Sequence, residues 1–324
     1  MPSIARSMLL AVFATMPLVT SVVAQTYPSQ PIRLVVGAGP GSIADGVARP
    51  LADKLGAALG QAVVVENKPG PGGIVGMDAV ARAKSDGYTL GLATMSQLVF
   101  NPYLFSKLPY DPAKDLVPVA NLVSGPMVIA VHPSYPAKSL GELIEAARAQ
   151  PGKLYYAVPA LGSPPHVVSL LVWKAANASL TAVPFRSGAD AVTNVLSGEI
   201  PVLVDAPPLI AAHVKTGKLR ALAVTGELRD SSLPDTPTLA EAGMAGVRGE
   251  AWIGLVAPTG TPHAVLQQLN QEIVRVLGHE EIARAYRAAG WRIVAGSAES
   301  FAAQVSTDRE RWGVVIQESG IRLD

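Results

Sequence analysis

The chain has 324 residues, 49% of them hydrophobic and 16% charged, with 26 basic against 25 acidic side chains. That length and apolar content suffice for two domains with substantial cores, which excludes a disordered chain. A net charge of +1 excludes a global field that would draw it to nucleic acid or to an anionic membrane surface, and the absence of cysteine excludes disulfides, thiolate chemistry and lipid attachment through sulfur.

At the amino terminus Arg6 precedes an apolar run over residues 8–19, and Val22, Val23 and Ala24 stand before Gln25. A basic segment, an apolar core too short to span a bilayer and small residues at a cut site describe a secretory signal. Residues 1–24 are therefore expected to be removed, leaving a mature chain that begins at Gln25 in the periplasm. Export without disulfides fits that compartment.

Residues 32–36 form an apolar run that reads as a buried strand, broken by Gly37, Gly39, Pro40 and Gly41. Ser42 then opens a helix, and Asp45 three residues later completes a capping box. The loop and first helical turn thus present unpaired amides at the positive end of a helix, which is an anion receptor. A strand over 62–66, a glycine- and proline-rich loop over 67–73, a helix over 74–83 and a strand over 89–93 follow. Such alternation predicts parallel pairing with right-handed crossovers. The pattern lapses over 101–117, then resumes with a strand over 127–131 and a helix capped by Ser139 and Glu142.

A second alternating run begins with a strand over 154–158 and a loop over 159–162. Ser163 is expected to cap the next helix, with Pro164 at its first position. A strand over 182–185 leads to a further box at Ser187 and Asp190, and the strand over 200–204 ends on Asp205. After a strand over 219–224, the proline-marked segment 233–237 is expected to begin a short helix. A last strand over 251–256 and amphipathic helices over 264–277 and 301–317 close the chain. The same strand, loop and capped helix therefore recur in two halves, which implies a cleft between two lobes. The expected division is 25–125 for the first part of lobe 1, 126–228 for lobe 2 and 229–324 for a hinge return and the rest of lobe 1, so that two crossings make a hinge.

None of the five histidines lies in a metal-ligand spacing, and neither G-x-S-x-G nor G-x-x-x-x-G-K-[ST] occurs. A dinucleotide fold is suggested by Gly37 and Gly39 after a strand and by Glu66 at the end of the next. It is opposed by Ser42 at the third glycine position and by Pro40, which stiffens the turn. No metal and no cofactor is expected.

Several blocks carry a resemblance: Gly39-Pro40-Gly41-Ser42-Ile43-Ala44-Asp45, the run from Val64 through Asn67-Lys68-Pro69-Gly70 to Gly73, Asp86-Gly87-Tyr88, Leu108-Pro109-Tyr110-Asp111-Pro112, Gly162-Ser163-Pro164-Pro165-His166, Gly217-Lys218-Leu219-Arg220, and Ala257-Pro258-Thr259-Gly260. In that order they resemble the Bug family, the TctC-type periplasmic solute receptors of tripartite tricarboxylate transporters, over nearly the whole mature chain. The resemblance implies an α/β, two-lobed periplasmic binding protein fold of type II kind, each lobe a mostly parallel sheet flanked by helices, with a hinge and a central cleft. It implies no catalysis, a small di- or tricarboxylate ligand held between helix amino termini, membrane transporter subunits as partners, no nucleic acid, and a monomer. Carried over, the first-lobe loop falls on Gly39, Pro40, Gly41 and Ser42. The second falls on Ala160, Gly162, Ser163 and His166, with Ser187, Gly188 and Asp205 lining the cleft. Gly37-Ala38-Gly39 departs from the Pro-Phe-Pro of many members, and Ala206-Pro207-Pro208 from their aromatic or amide neighbourhood, so the ligand is not transferable. An amino acid, an aromatic acid or another solute is the alternative within this fold; a secreted α/β enzyme is the alternative outside it, though no nucleophile and base support it. Asp45 and Asp190 read as capping groups, and His166 as a neutral donor near the cleft. Arg186 is divided between a surface ion pair and a ligand contact. Asp205, if it faces the cleft, suits an amine or hydroxyl.

Overall fold

The computed structural model describes residues 27–324, so the expected signal and its cleavage site lie outside the described residues. The first sheet collects β1 (Ile32–Val36), α1 (Ile43–Leu59), β2 (Val63–Asn67), α2 (Ile74–Ala81) and β3 (Thr89–Thr94), then a π-helical turn (Ser96–Phe100) that runs into α3 (Asn101–Leu104), and β4 (Leu116–Pro126). The second is built from β5 (Val128–Val131), α4 (Leu140–Ala149), β6 (Leu154–Val158), α5 (Pro164–Ala175), β7 (Leu180–Pro184), α6 (Gly188–Leu196), β8 (Val202–Asp205), α7 (Pro207–Lys215) and β9 (Arg220–Val224). The chain ends with β10 (Glu250–Pro258), α8 (His263–Leu277), α9 (Glu280–Ala288), β11 (Arg292–Ile293) and α10 (Ala298–Ser319).

Strand order is β11-β4-β10-β3-β1-β2 in one sheet and β7-β6-β8-β5-β9 in the other. The two-lobed α/β architecture expected from the sequence is present, with one difference of detail: each sheet is mixed rather than mostly parallel. Parallel pairing is confined to β2-β1-β3 and β7-β6-β8, and the strands that join the lobes run against their neighbours. The connections explain this. A parallel crossover needs a long connection, usually a helix, whereas β4 passes into β5 through Met127 alone and no helix intervenes between β9 and β10.

Thr225, fully buried, ties the two crossings together. Its amide donates to the Met127 carbonyl at 2.9 Å, and its hydroxyl oxygen accepts from the Met127 amide at 2.8 Å. The hydroxyl in turn donates to the Gly249 carbonyl, and the Gly249 amide donates to the Thr225 carbonyl at 2.8 Å.

Three apolar clusters follow from the faces of the sheets. One lies between the first sheet and α1, α8 and α9, where Val47, Leu51 and Leu55 recur at one-turn spacing and are buried. Each such side chain stabilises the fold by roughly 1.5–3 kcal/mol. The second covers the opposite face with α2 and α10 and continues into the second lobe against α4 and α5. The third packs α6 and α7 on the far face of the second sheet.

Segment 233–237 does not begin a helix. Thr238 and Glu241 exchange hydrogen bonds as a capping box does, the Thr238 amide to Glu241 Oε2 at 2.8 Å and the Glu241 amide to Thr238 Oγ1 at 3.2 Å. The turn so capped is not propagated: Thr238 bridges to Val224 beside β9 instead, and a chain held at the sheet edge cannot continue to coil.

Candidate functional site

The first corner sits at the carboxyl end of β1. Ser42 caps α1 by accepting from the Asp45 amide at 3.2 Å, as the capping pattern requires. Asp45, 3% exposed, reaches back to accept the Gly41 amide at 2.8 Å. It also accepts Arg49 Nε at 2.8 Å and Asn67 Nδ2 at 3.0 Å. Burial alone would raise its carboxyl; the bonds from Arg49, Gly41 and Asn67 together outweigh it and hold the group below the usual carboxylate range. The capping carboxylate is thus neutralised from behind. The amides of Ile43 and Ala44, in the first turn, have no acceptor among the described residues, so the corner retains the anion-binding character of a helix start.

Arg49 and Asn67 are contributors that sequence reasoning missed. Asn67 also donates to the Ala38 carbonyl at 2.9 Å and so holds the loop carrying Gly39 and Pro40. Gly37 is a third: a Cβ there would lie 2.8 Å from the Gly73 carbonyl oxygen. Its signal was present, since Gly37 and Gly73 stand in the two glycine-rich loops after β1 and β2.

The second corner, at the end of β6, is Ala160, Gly162, Ser163 and His166. Ser163 occupies the capping position of α5, but its side chain does not cap. The amide that the other capping serines take, three residues on, is here that of His166, and it is left free. The Ser163 hydroxyl turns back and donates to the Ala160 carbonyl at 2.6 Å. His166, 2% exposed, accepts the Gly162 amide on Nδ1 at 3.0 Å, and burial pushes its pKa down to about 4. It is a neutral side chain that fixes the loop. With two prolines in the first turn, the amide of His166 is the one free donor that the start of α5 offers among the described residues.

Ser187, Gly188 and Asp205 form a third group. Ser187 caps α6 by accepting the Asp190 amide at 3.2 Å. Asp205, 1% exposed at the end of β8, accepts the Ala206 amide on Oδ1 at 2.8 Å, while Oδ2 has no partner. A Cβ on Gly188 would lie 2.6 Å from that oxygen, so the carboxylate abuts the first residue of α6. Burial pushes its carboxyl up to about 7. Pro207 and Pro208 open α7 without donors. Arg186 is exposed and forms no ion pair among the described residues.

The first and second corners are linked through the π-helical turn, which the sequence pattern does not announce. Ser96 Oγ donates to the Gly162 carbonyl at 3.2 Å across the lobes. Its neighbour Gln97 packs on Gly73, which in turn backs Gly37. Gly162 has φ +74°, and a Cβ there would lie 2.7 Å from Leu104 and from Leu323, both of which belong to the first-lobe side of this contact. No hydrogen bond among the described residues joins the Gly39–Ser42 loop directly to the second-lobe corners.

The family model described as tripartite tricarboxylate transporter family receptor matches residues 47–321. Protein BugT of Bordetella pertussis is 34% identical over 311 residues, 96% of this chain and 95% of its own length. The solved structure of R. palustris Rpa4515 with adipate superposes with a TM-score of 0.83 at 31% identity, covering 92% of this chain and all of that one. MatC from Rhodopseudomonas palustris, with bound malate, gives 0.80 at 29% identity, covering 90% of this chain and all of that one. The two mixed sheets and these likenesses together place the chain: it belongs to the tripartite tricarboxylate transporter receptor family, the TctC or Bug type of periplasmic solute receptor.

Proposed function

We propose that the chain binds a small carboxylate of the di- or tricarboxylate type between its lobes and delivers it to the membrane subunits of a tripartite tricarboxylate transporter. The observation that carries this reading is the first corner, where two unpaired amides at the start of α1 stand over a capping carboxylate already neutralised by Arg49. Gly39, Pro40, Gly41 and Ser42 form one wall of the proposed site. Ala160, Gly162, Ser163 and His166, with Ser187, Gly188 and Asp205, form the other. In this reading the lobes expected at 25–125 with 229–324, and at 126–228, close as a monomer about the hinge, because closure adds second-lobe contacts and the ligand favours the state that has them.

The reading includes no chemical step. His166 Nδ1 is occupied by an amide and the Ser163 hydroxyl by a carbonyl, so neither is poised as a nucleophile and base. Adipate and malate, the ligands of the two structural neighbours, make small organic acids the first panel to test. The malate of one structural neighbour favours a second ligand class, a hydroxy or amino acid, to which Asp205 Oδ2, sealed beneath Gly188, offers no contact. Thermal-shift measurement with malate, adipate, citrate and glutamate tests both. A shift from at least one is expected, glutamate and malate distinguish the second class from adipate, and no shift from any organic acid would overturn the proposal.

A further inference from the structure

α3, whose Leu104 abuts Gly162, also borders a pocket of about 400 Å³ that none of the residues assigned to the lobe cleft lines. Leu108, Tyr110 and Asp111, from a sequence block that the cleft leaves unused, line it together with Tyr103, Phe105 and Arg309. The aromatic walls are fixed from outside. Tyr103 lies over Gly313 on α10, where a Cβ would come within 2.5 Å of its ring, and Phe105 would lie 3.2 Å from a Cβ on Gly72. The buried Tyr110 donates its hydroxyl to the Gln97 carbonyl at 3.1 Å. The pocket is therefore preformed, with an apolar lining of the kind that takes small molecules.

Arg309 is the one basic residue in that lining. Its Nε donates to the Leu98 carbonyl of the π-helical turn at 2.7 Å, which holds the guanidinium in place. Its two Nη groups find no acceptor among the described residues, and neither is sealed from solvent. No carboxylate among the described residues lies within ion-pair distance of them. Asp111 is spent elsewhere: Oδ2 lies 3.0 Å from Lys114 Nζ, and Oδ1 accepts the Ala113 amide at 2.9 Å. Burial lowers the Arg309 pKa, and the charge of Asp111 offsets only part of that effect. A water molecule would take one of the free donors and leave the aromatic walls uncovered. A planar carboxylate takes both Nη groups, and a ring attached to it covers the walls. A second carboxylate on the same molecule would find no further cation in the lining and would face Asp111.

We propose that this pocket is a second ligand site, separate from the lobe cleft, for a small aromatic monocarboxylate whose carboxylate meets the Nη groups of Arg309 and whose ring lies against Tyr103 and Phe105. Arg309 also holds Leu98, in the turn whose Ser96 bonds Gly162 across the lobes, so an occupant adjoins the joint between the two corners.

Equilibrium dialysis with labelled benzoate tests this in Ser163→Trp, whose lobe corner is filled, alone and combined with either of two pocket changes. Ala113→Trp obstructs the pocket from an exposed position and leaves Arg309 intact, whereas Arg309→Gln removes the charge. Ser163→Trp should bind one benzoate saturably, and each pocket change should weaken that binding about tenfold or more. Benzamide, the neutral counterpart of benzoate, should not compete. Circular dichroism reports whether each variant is folded, and should Arg309→Gln not fold, Ala113→Trp decides. No saturable binding, undiminished affinity in either folded pocket variant, or equal competition by benzamide would each overturn the proposal.

Discussion

Replacing Asp205 with Asn should stabilise the unliganded protein at alkaline pH and change it little in acid. The carboxyl is 1% exposed, one oxygen bonded to the Ala206 amide and the other unpartnered, and burial raises its pKa from 3.8 to about 7. A carboxyl whose folded value exceeds its unfolded value binds its proton more tightly in the native state. Its favourable contribution is complete below 3.8 and is lost as pH rises through about 7. At 1.36 kcal/mol per unit the shift sets a ceiling of about 4 kcal/mol above neutrality, and relaxation around the charged form brings the working figure to about 2 kcal/mol. Asn retains the oxygen that accepts from Ala206 and never ionises. His166 acts in the opposite sense, since a folded value near 4 against 6.5 makes the protein gain stability as pH rises through that window. The difference between parent and variant cancels it. Urea unfolding of both proteins at roughly pH 5 and roughly pH 8 should show the gap in favour of Asp205→Asn widening by about 2 kcal/mol at the higher pH. Parallel profiles would refute the reasoning, because they would mean the charged form pays no burial penalty.

Asp45→Ala strands the Gly41 and Asn67 donors and should cost about 2–3 kcal/mol in denaturant unfolding. Because the Asp45 carboxyl is held low, the parent's advantage over this variant should persist above the ordinary carboxylate range and vanish as pH falls through the folded value. Thr225→Val removes the hydroxyl that joins Met127 to Gly249; a loss of about 1–3 kcal/mol and faster hydrogen exchange at the Met127 amide are expected. Gly162→Ala forces a Cβ into the left-handed region and against Leu104 and Leu323, so thermal unfolding should report a cost of about 1–2 kcal/mol or more.

What the sequence makes legible here is whatever rests on local chemistry. The S-x-x-D/E spacings at Ser42, Ser139 and Ser187 each place a side-chain cap where the structure has one. Ser163 shows where the rule stops: the same residue at the same position does not cap, its hydroxyl being turned back to the Ala160 carbonyl while the His166 amide stays free. Strand direction is not a property of the period-two pattern, so β10 reads as an ordinary buried strand although it runs antiparallel to both its neighbours, and β4 (Leu116–Pro126), which follows the proline-rich stretch, is not read as a strand at all. Arg49, Asn67 and Ser96 reach the corners only through folding, with Asn67 meeting Asp45 across 22 residues and Ser96 meeting Gly162 across 66. The burial of Asp205 depends on α6 closing over it, which no spacing encodes.

The central claim is that a small carboxylate sits between the Gly39–Ser42 loop and the second-lobe corner, and ligand-induced stabilisation in two blocked variants tests it most directly. Gly41 has φ +77°, so Gly41→Val deforms the first loop, and Ser163→Trp fills the second. In the parent, an organic acid at ~100 times its dissociation constant should stabilise the fold by about 2.7 kcal/mol. Both variants should lose that increment while remaining folded, with Ser163→Trp close to the parent in unliganded stability because its hydroxyl bonds a loop carbonyl and caps no helix. If both bind the acid as tightly as the parent, the ligand does not lie between these corners.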